Sequence, residues 1–329
     1  MGEPSGIGPD ISLLAWLRRA EARVPPFVLI GAPALLQERA RALGVDVPLC
    51  TVQHLGEVEQ AFAEGVPVLP LEETVEAVPG RPETANAAAV LRSIERAVAL
   101  CRDGSAAAVV TNPIQKATLY AAGFEHPGHT EYFASVAGPG SRAVMMLAVP
   151  GLRVVPVTVH KALREVPPAL STALIEDTAR VVHRALSEDF GIQAPRLAIA
   201  GLNPHAGEAG SMGREEIDMI APAVAALTAE GLHVTGPHPA DTLFHRAARL
   251  RYDAALCMYH DQALIPLKTV NFHEGVNVTL GLPFVRTSPD HGTALDIAGT
   301  GKADPRSLIA ALRLARKIAG LRRRAGAGR

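Results

Sequence analysis

Short, continuously apolar runs alternate along this chain with longer stretches of helical periodicity. "PPFVLIGA" (25–32), "AAAVVT" (106–111), "AVMMLAV" (143–149), "LRVVPVTVH" (152–160), "RLAIAGLN" (196–203) and "DAALCMYH" (253–260) are of strand length. They lack the polar alternation of a half-exposed strand, so each predicts a strand buried on both faces. Between them, "TANAAAVLRSIERAVALCRDG" (84–104), "LIEDTARVVHRALSEDFG" (174–191) and "REEIDMIAPAVAALTAEG" (214–231) show helical spacing and end on glycine. Such strands alternating with helices predict an α/β fold with mostly parallel sheets covered on both faces. There is no internal repeat and no low-complexity linker, so a second domain has to arise from chain crossings.

Residues that can do chemistry close several of these runs: "TNPIQK", "TVHKAL", "GLNPHAGE" and "MYHDQA". In open parallel sheets the carboxyl ends of strands form the ligand crevice, so the four clusters predict one shared site. Three histidines occupy matching places: His160 after "VVPVTV", His205 after "AIAGLNP" and His260 after "ALCMY". They lie too far apart in sequence for a local zinc finger, and only the fold can bring them together. Three imidazoles with an open position suit a catalytic divalent ion such as zinc or cobalt. Asp261 is placed to orient an imidazole or a bound water. Taken singly, each histidine also fits an ordinary strand-end residue bonded to a backbone carbonyl.

With 329 residues, 48% of them hydrophobic, the chain is long enough for two domains. Its 32 Lys and Arg against 33 Asp and Glu give no general electrostatic case for nucleic acid or an anionic membrane surface. The basic ending "RLARKIAGLRRRAGAGR" predicts a last helix with a frayed, solvated end. No apolar run is long enough for a transmembrane helix, and the start lacks the basic-then-apolar order of a signal peptide. Cys50, Cys101 and Cys257 form no CxxC pair and fit mostly buried thiols in a reducing cytosol.

Two Gly-rich stretches precede helix starts, "GEPSGIGPDI" (2–11) and "NPHAGEAGSMGREEID" (203–218). Glycine lets backbone approach a ligand closely, and a helix N-terminus favours anions. Neither stretch is GxGxxG, which the chain lacks. "PGHTEYF" (127–133) sets His129 and Thr130 beside a helix start, where Thr130 also fits a plain N-cap. In residues 267–305, Lys268, Asn277 and Arg286 are spaced along a predicted strand, loop and second strand. Lys and Arg suit carboxylate or phosphate oxygens, although a solvated or ion-paired surface is the commoner fate of such residues.

"GEPSGIGPD", "TNPIQKATLYAAGFEHPGHTE", "NPHAGEAGSMGREEID", "PADTLF", "MYHDQALIPLK" and "GVNVTLGLPFVRTSPDHGTALDIAGTGKAD" run in this order from residue 2 to about residue 315. Together they resemble the 4-hydroxythreonine-4-phosphate dehydrogenase family of pyridoxal phosphate synthesis. "GIGPD" and "DHGTALDIAGTGKADP" are also similar to loops of the wider isocitrate and isopropylmalate dehydrogenase group. The resemblance implies the two-domain α/β/α fold of that group. Residues 1–115 with 270–329 would form a cofactor-side domain, and 116–269 a metal and dimerisation domain. The active-site cleft would lie between the domains and at the interface of a homodimer.

By the same resemblance His160, His205 and His260 bind one divalent metal (zinc, magnesium or cobalt), with ligands drawn from both subunits. His129, Thr130, Lys268, Asn277 and Arg286 bind substrate. The segment around His291, Gly292, Asp296 and Asp304 holds the adenosine side of NAD or NADP, in a family that does not use GxGxxG. The implied activity is oxidation of 4-phosphohydroxy-L-threonine to 2-amino-3-oxo-4-phosphooxybutanoate, then decarboxylation to 3-amino-2-oxopropyl phosphate, in a cytoplasmic enzyme. Asp261, Asp241 and Lys268 are general-base candidates by residue type only. Other readings keep the metal site for a different four-carbon phosphorylated acid (4-phosphoerythronate or 4-phosphothreonate) or a cyclic dihydrodiol. A phosphate-binding acyltransferase on a related fold would need neither the histidines nor "DHGTALDIAG". One departure stands out. Family members open with a short apolar strand, whereas here Met1 directly precedes "GEPSGIGPD". Reduced stability, or compensation by a neighbouring element, is expected.

Overall fold

Strands and helices alternate as the apolar pattern requires. The structure, a computed structural model, describes residues 1–126, 129–138 and 142–327, and of residues 129–131, 134, 326 and 327 the backbone alone. From the N-terminus come α1 (Gly8–Leu17), β1 (Leu29–Gly31), α2 (Pro33–Leu43), β2 (Leu49–Thr51), α3 (Val58–Glu64), β3 (Val66–Pro70), α4 (Ala87–Arg102), β4 (Val109–Val110), α5 (Lys116–Ala121) and α6 (His129–Ala137). There follow β5 (Val144–Val149), β6 (Leu152–Pro156), α7 (Val166–Ala169), α8 (Thr172–Glu188), β7 (Arg196–Ala200), α9 (Ala221–Ala229), β8 (His233–His238), α10 (Arg246–Arg249), β9 (Ala254–Cys257), α11 (His260–Val270) and β10 (Val276–Leu280). β11 (Arg286–Pro289) and α12 (Arg306–Ala327) close the chain.

The chain forms two compact units, Met1–Ser141 with Leu282–Ala319, and Arg142–Gly281 with Gly320–Arg329. The crossings thus fall after residues 141 and 281, later than the expected 115 and 269. The reasons are local. Tyr132 bonds Glu95, and Phe133 packs edge-on to Phe284, which holds α6 in the first unit. β10 pairs along its length with β5, which holds residues 276–280 in the second. α12 begins in one unit and ends in the other. Its basic end is not wholly frayed, because Arg322 donates to the buried Asp189 carboxylate.

In the first unit, β1, β3 and β2 form a parallel sheet in that order, and β4 pairs in parallel with β11. Only three residues of the predicted 25–32 run are strand, since Pro25 and Pro26 have no N–H to contribute to a ladder. Ile11, Trp16, Phe62, Val66, Val68, Leu308 and Leu312 form the main apolar cluster. The Trp16 indole N–H donates to the Phe62 carbonyl (2.8 Å), so this ring is buried without an unmet donor. A cavity of about 100 Å³ lies among β1, β4 and α4, bounded by Leu29, Ile30, Ile94, Val110 and Asn112. Met1 lines it too: its side chain packs on the Leu35, Val75 and Ala89 cluster, and Asn112 Nδ2 donates to its carbonyl (3.3 Å).

In the second unit the strand order is β10-β5-β6-β9-β7-β8. β6, β9, β7 and β8 are mutually parallel, but β5 runs antiparallel to both its neighbours. The sequence contains the cause. Only Pro150 and Gly151 separate β5 from β6, and a two-residue link makes a hairpin, whereas a parallel neighbour needs a crossover of a dozen residues or more. The predicted 214–231 helix is also interrupted. It opens with a π-helical turn at Glu216–Ile220 before α9, where Pro222 lacks the N–H that an α-helix would bond to residue 218. The three cysteines are free, and no helix among the described residues is long and apolar enough to cross a membrane.

Gly281 ends β10 with φ +78, and a Cβ there would lie 2.2 Å from the Arg142 carbonyl oxygen. Gly104 has a similar φ of +81 but open surroundings. Gly281→Ala is expected to destabilise the fold by at least about 2 kcal/mol, and Gly104→Ala by about 1 kcal/mol. Urea midpoints at unchanged m-value check both; equal shifts would show that the Arg142 contact contributes nothing.

Candidate active site

The site begins with strand pairing. β9 lies between β6 and β7, and Ala254–Met258 are completely buried, which is why that run carries no polar alternation. Its pairing with β6 continues beyond the strand ends. Val157 N donates to the Cys257 carbonyl (2.7 Å), and Thr158 Oγ1 to the Met258 carbonyl (2.7 Å). The two chains therefore leave the sheet side by side, and His160 and His260 face each other with ring centroids 6.0 Å apart. At that separation one cation can be shared by both rings. His160 holds a left-handed backbone, φ +50. His260 is the first residue of α11, and its Nδ1 meets Asp261 Oδ1 at 2.7 Å. That contact fixes the ring and directs Nε2 to a ligand.

His205 is held differently. It opens a run of five left-handed residues, His205 to Ala209, four of them not glycine. Such a run is strained and needs something to hold it. Glu216, 3% exposed, does so: its Oε1 accepts from Leu202 N and Asn203 N (both 2.7 Å), and its Oε2 from Asn203 Nδ2 (3.0 Å). The His205 ring is exposed and contacts Glu208 (Nδ1 to Oε2, 3.3 Å). Among the described residues no set of three or more His, Cys, Asp or Glu side chains within one chain is arranged to hold an ion. The fold thus unites His160 with His260, whereas the His205 ring meets Glu208. As donors for a borderline divalent ion, the first two fit.

Sequence reasoning missed two residues here. Gln262 is buried and ties two strand ends together, accepting from Met258 N (2.6 Å) and donating to the Gly201 carbonyl (2.7 Å). Glu216 looked like an ordinary acidic helix start. Neither had a distinguishing local pattern; each matters because of an uncapped backbone group that only the fold brings near.

Lys268 lies on α11, not on a strand. His260, Leu264 and Lys268 follow at four-residue intervals, so they share one stripe of the helix. Lys268 Nζ lies 5.7 Å from the Phe272 ring centroid. Asp241 is exposed in the short turn Ala240–Thr242. Asn277 belongs to β10, opposite Leu147, and its Oδ1 is buried without a hydrogen-bond partner. An unmet acceptor of this kind suits a ligand donor.

In the first unit Arg286 is 2% exposed on β11, donates to Thr111 Oγ1 (2.7 Å) and lies over the Phe133 ring (5.1 Å). Burial pushes its guanidinium down to about 9, still a cation at neutral pH. His129 and Thr130 open α6, but their side chains lie outside the described residues. His291 Nδ1 contacts the Gly292 carbonyl (3.1 Å), its Nε2 is buried without a partner, and Gly292 and Asp296 are exposed on the same loop. Asp304 is engaged by Arg306, whose backbone N (3.0 Å) and Nε (2.8 Å) both donate to it at the start of α12. The N-terminal Gly-rich loop is not an open anion site: Gly2 to Leu13 are buried, and a Cβ on Gly6 would lie 2.9 Å from the Thr293 carbonyl oxygen. Its glycines admit neighbouring backbone, not a ligand.

A two-unit α/β protein with paired imidazoles beyond adjacent parallel strands is the class these features define. The family model described as "Pyridoxal phosphate biosynthetic protein PdxA" matches residues 23–315. A Methylorubrum populi protein named 4-hydroxythreonine-4-phosphate dehydrogenase is 59% identical, over 97% of this chain and 93% of its own. One of the same name from Bradyrhizobium diazoefficiens is 54% identical, over 97% and 95%. The crystal structure of 4-hydroxythreonine-4-phosphate dehydrogenase from Klebsiella pneumoniae matches with a TM-score of 0.85 at 40% identity, over 97% of this chain and 96% of that one. The chain belongs to the PdxA family.

Glu216→Leu removes the acceptor for two backbone amides. It is expected to cost about 3 kcal/mol and to speed amide exchange in residues 202–210 beyond the global change. Uniform acceleration across the chain would mean that Glu216 does not specifically hold the loop.

Proposed function

We propose that this chain catalyses the NAD(P)-linked oxidation of 4-phosphohydroxy-L-threonine, followed by decarboxylation, in pyridoxal 5'-phosphate synthesis. The observation that carries the reading is the His160–His260 pair, 6.0 Å apart beyond adjacent parallel strands, in a chain of this family. The balance is simple. The secondary alcohol loses a hydride to the nicotinamide and a proton to solvent or a base, giving 2-amino-3-oxo-4-phosphooxybutanoate. Loss of CO₂ then takes up one proton and leaves 3-amino-2-oxopropyl phosphate.

His160 and His260 would hold a divalent ion, zinc, magnesium or cobalt, with His205 as a third ligand. Such an ion supplies Lewis-acid polarisation of the substrate's alcohol oxygen. The chain's own groups do the rest. Asp261 keeps the His260 ring turned for ligation. Its occupation by His260 favours an orienting role and leaves Lys268 and Asp241 as proton acceptors. Asn277 Oδ1 accepts from a substrate hydroxyl or ammonium, and Lys268 and Arg286, with His129 and Thr130, receive phosphate and carboxylate oxygens. The loop of His291, Gly292, Asp296 and Asp304 receives the adenosine side of NAD or NADP.

We place the enzyme in the cytoplasm as a homodimer with shared sites. Two features support the second copy. Among the described residues of one chain His205 joins no three-ligand group with His160 and His260, and Ile265 and Phe272, 64% and 69% exposed, lie on and just after the helix that carries His260 and Lys268. Exposed apolar groups beside a site of this kind suit a subunit contact.

Turnover followed at the nicotinamide absorbance should be greatest on 4-phosphohydroxythreonine, against 4-phosphoerythronate, 4-phosphothreonate and a cyclic dihydrodiol. It should be abolished by chelation and restored by divalent ion. His260→Ala is expected to lower kcat/KM by at least about a hundredfold and to weaken metal binding by calorimetry. Full activity in metal-free protein would overturn the reading.

A further inference from the structure

One pair of charges outside the groups assigned above is sealed inside the first unit. Asp10, in the first turn of α1, and Arg39, on α2, form an ion pair with 0% and 1% of their side chains exposed. Neither can meet a ligand directly. Their remaining bonds run to two loops. Arg39 Nη1 donates to the Gly6 carbonyl (2.8 Å) and Nη2 to the Pro4 carbonyl (2.9 Å). Asp10 Oδ1 accepts from Gly299 N (2.7 Å).

The same two loops meet elsewhere. Ile7 N donates to the Thr293 carbonyl (2.9 Å), beside the close approach of Gly6. A third segment completes the contact: Gly80 N donates to the Ser5 carbonyl (2.8 Å), and Gly299, at φ +73, packs against Pro79. The conformation of Thr293–Gly299 is therefore fixed at one end by a backbone bond from Ile7. At the other end it is fixed by a carboxylate that Arg39 holds in turn. A buried ion pair is weak evidence for stability, because apolar replacements of similar volume often fold as well. Its presence calls for another account.

We propose that Asp10 and Arg39 are positioning residues for the dinucleotide, holding Thr293–Gly299 in the conformation that receives its adenosine side. This rests on the reading of residues 291–304 as the cofactor loop. The pair touches no reacting atom and acts only through Gly299 and the carbonyls of Pro4 and Gly6.

The test is the double variant Asp10→Leu with Arg39→Met, which removes both charges at similar volume. The melting temperature should change little, while amide exchange at Thr293–Gly299 accelerates about tenfold beyond the rest of the unit. The apparent KM for NAD should rise about tenfold, with KM for the phosphorylated substrate nearly unchanged. Asp10→Asn with Arg39→Met keeps an oxygen for Gly299 N and should recover much of the affinity for NAD. If the apolar pair fails to fold, Asp10→Asn with Arg39→Met serves alone, with a smaller rise in KM for NAD. A folded variant with unchanged exchange at 293–299 and unchanged KM for NAD overturns the proposal. A parent protein that binds no NAD instead removes the cofactor reading, and the exchange measurement still decides whether the pair sets the loop.

Discussion

The parallel pairing of β6 with β9 is the constraint on which the candidate site depends. Each strand is buried on both faces, so neither can slip in register without exposing apolar groups or opening backbone donors. Because the ladder continues through Val157, Thr158 and Met258, the register is carried to the last residues before the chains diverge. Two imidazoles that are 100 positions apart in sequence are then neighbours, with no direct bond between them needed. Gln262 extends this control sideways to the end of β7. The loops that carry chemistry are thus set by backbone geometry first and side-chain preference second.

Much of this was readable in the sequence, for a physical reason. Buried parallel strands must be continuously apolar, so β5, β6, β7 and β9 announced themselves, and polar residues ending such runs marked the strand ends. What stayed hidden was whatever depends on partners distant in sequence. β2 is three residues long, β8 is polar, and β3, though apolar, carries two prolines. β5 was read as part of a parallel sheet, although the two-residue Pro150-Gly151 link to β6 pointed to a hairpin. Lys268 was expected on a strand but lies on α11, a helix that accommodates Pro266 in its interior. Glu216 and Gln262 are ordinary letters until the amides they cap are known.

The two Gly-rich stretches show how one composition serves opposite ends. In residues 2–10 the glycines let backbone pack on backbone, and the space a ligand would occupy is filled by Thr293, Asn112 and the Asp10–Arg39 pair. In residues 203–213 the loop projects outward, and its glycines and left-handed residues expose the His205 ring to solvent. Sequence alone treats both as candidate ligand loops, since glycine reports only that backbone must come close to something. Burial decides what that something is.

The His205 loop also bears on how the proposed metal site is completed. Four non-glycine residues in left-handed conformation are costly, and the buried Glu216 carboxylate anchors Leu202 and Asn203 just before them with three accepted hydrogen bonds. Within its own chain the exposed His205 ring meets Glu208. A strained, rigidly held and outward-facing imidazole fits a partner that lies beyond the fold, whereas a ligand for the chain's own His160 and His260 would more simply sit on a relaxed turn. On the proposed reading, the strained loop and the exposed Ile265 of α11 are the two features a second copy would have to meet.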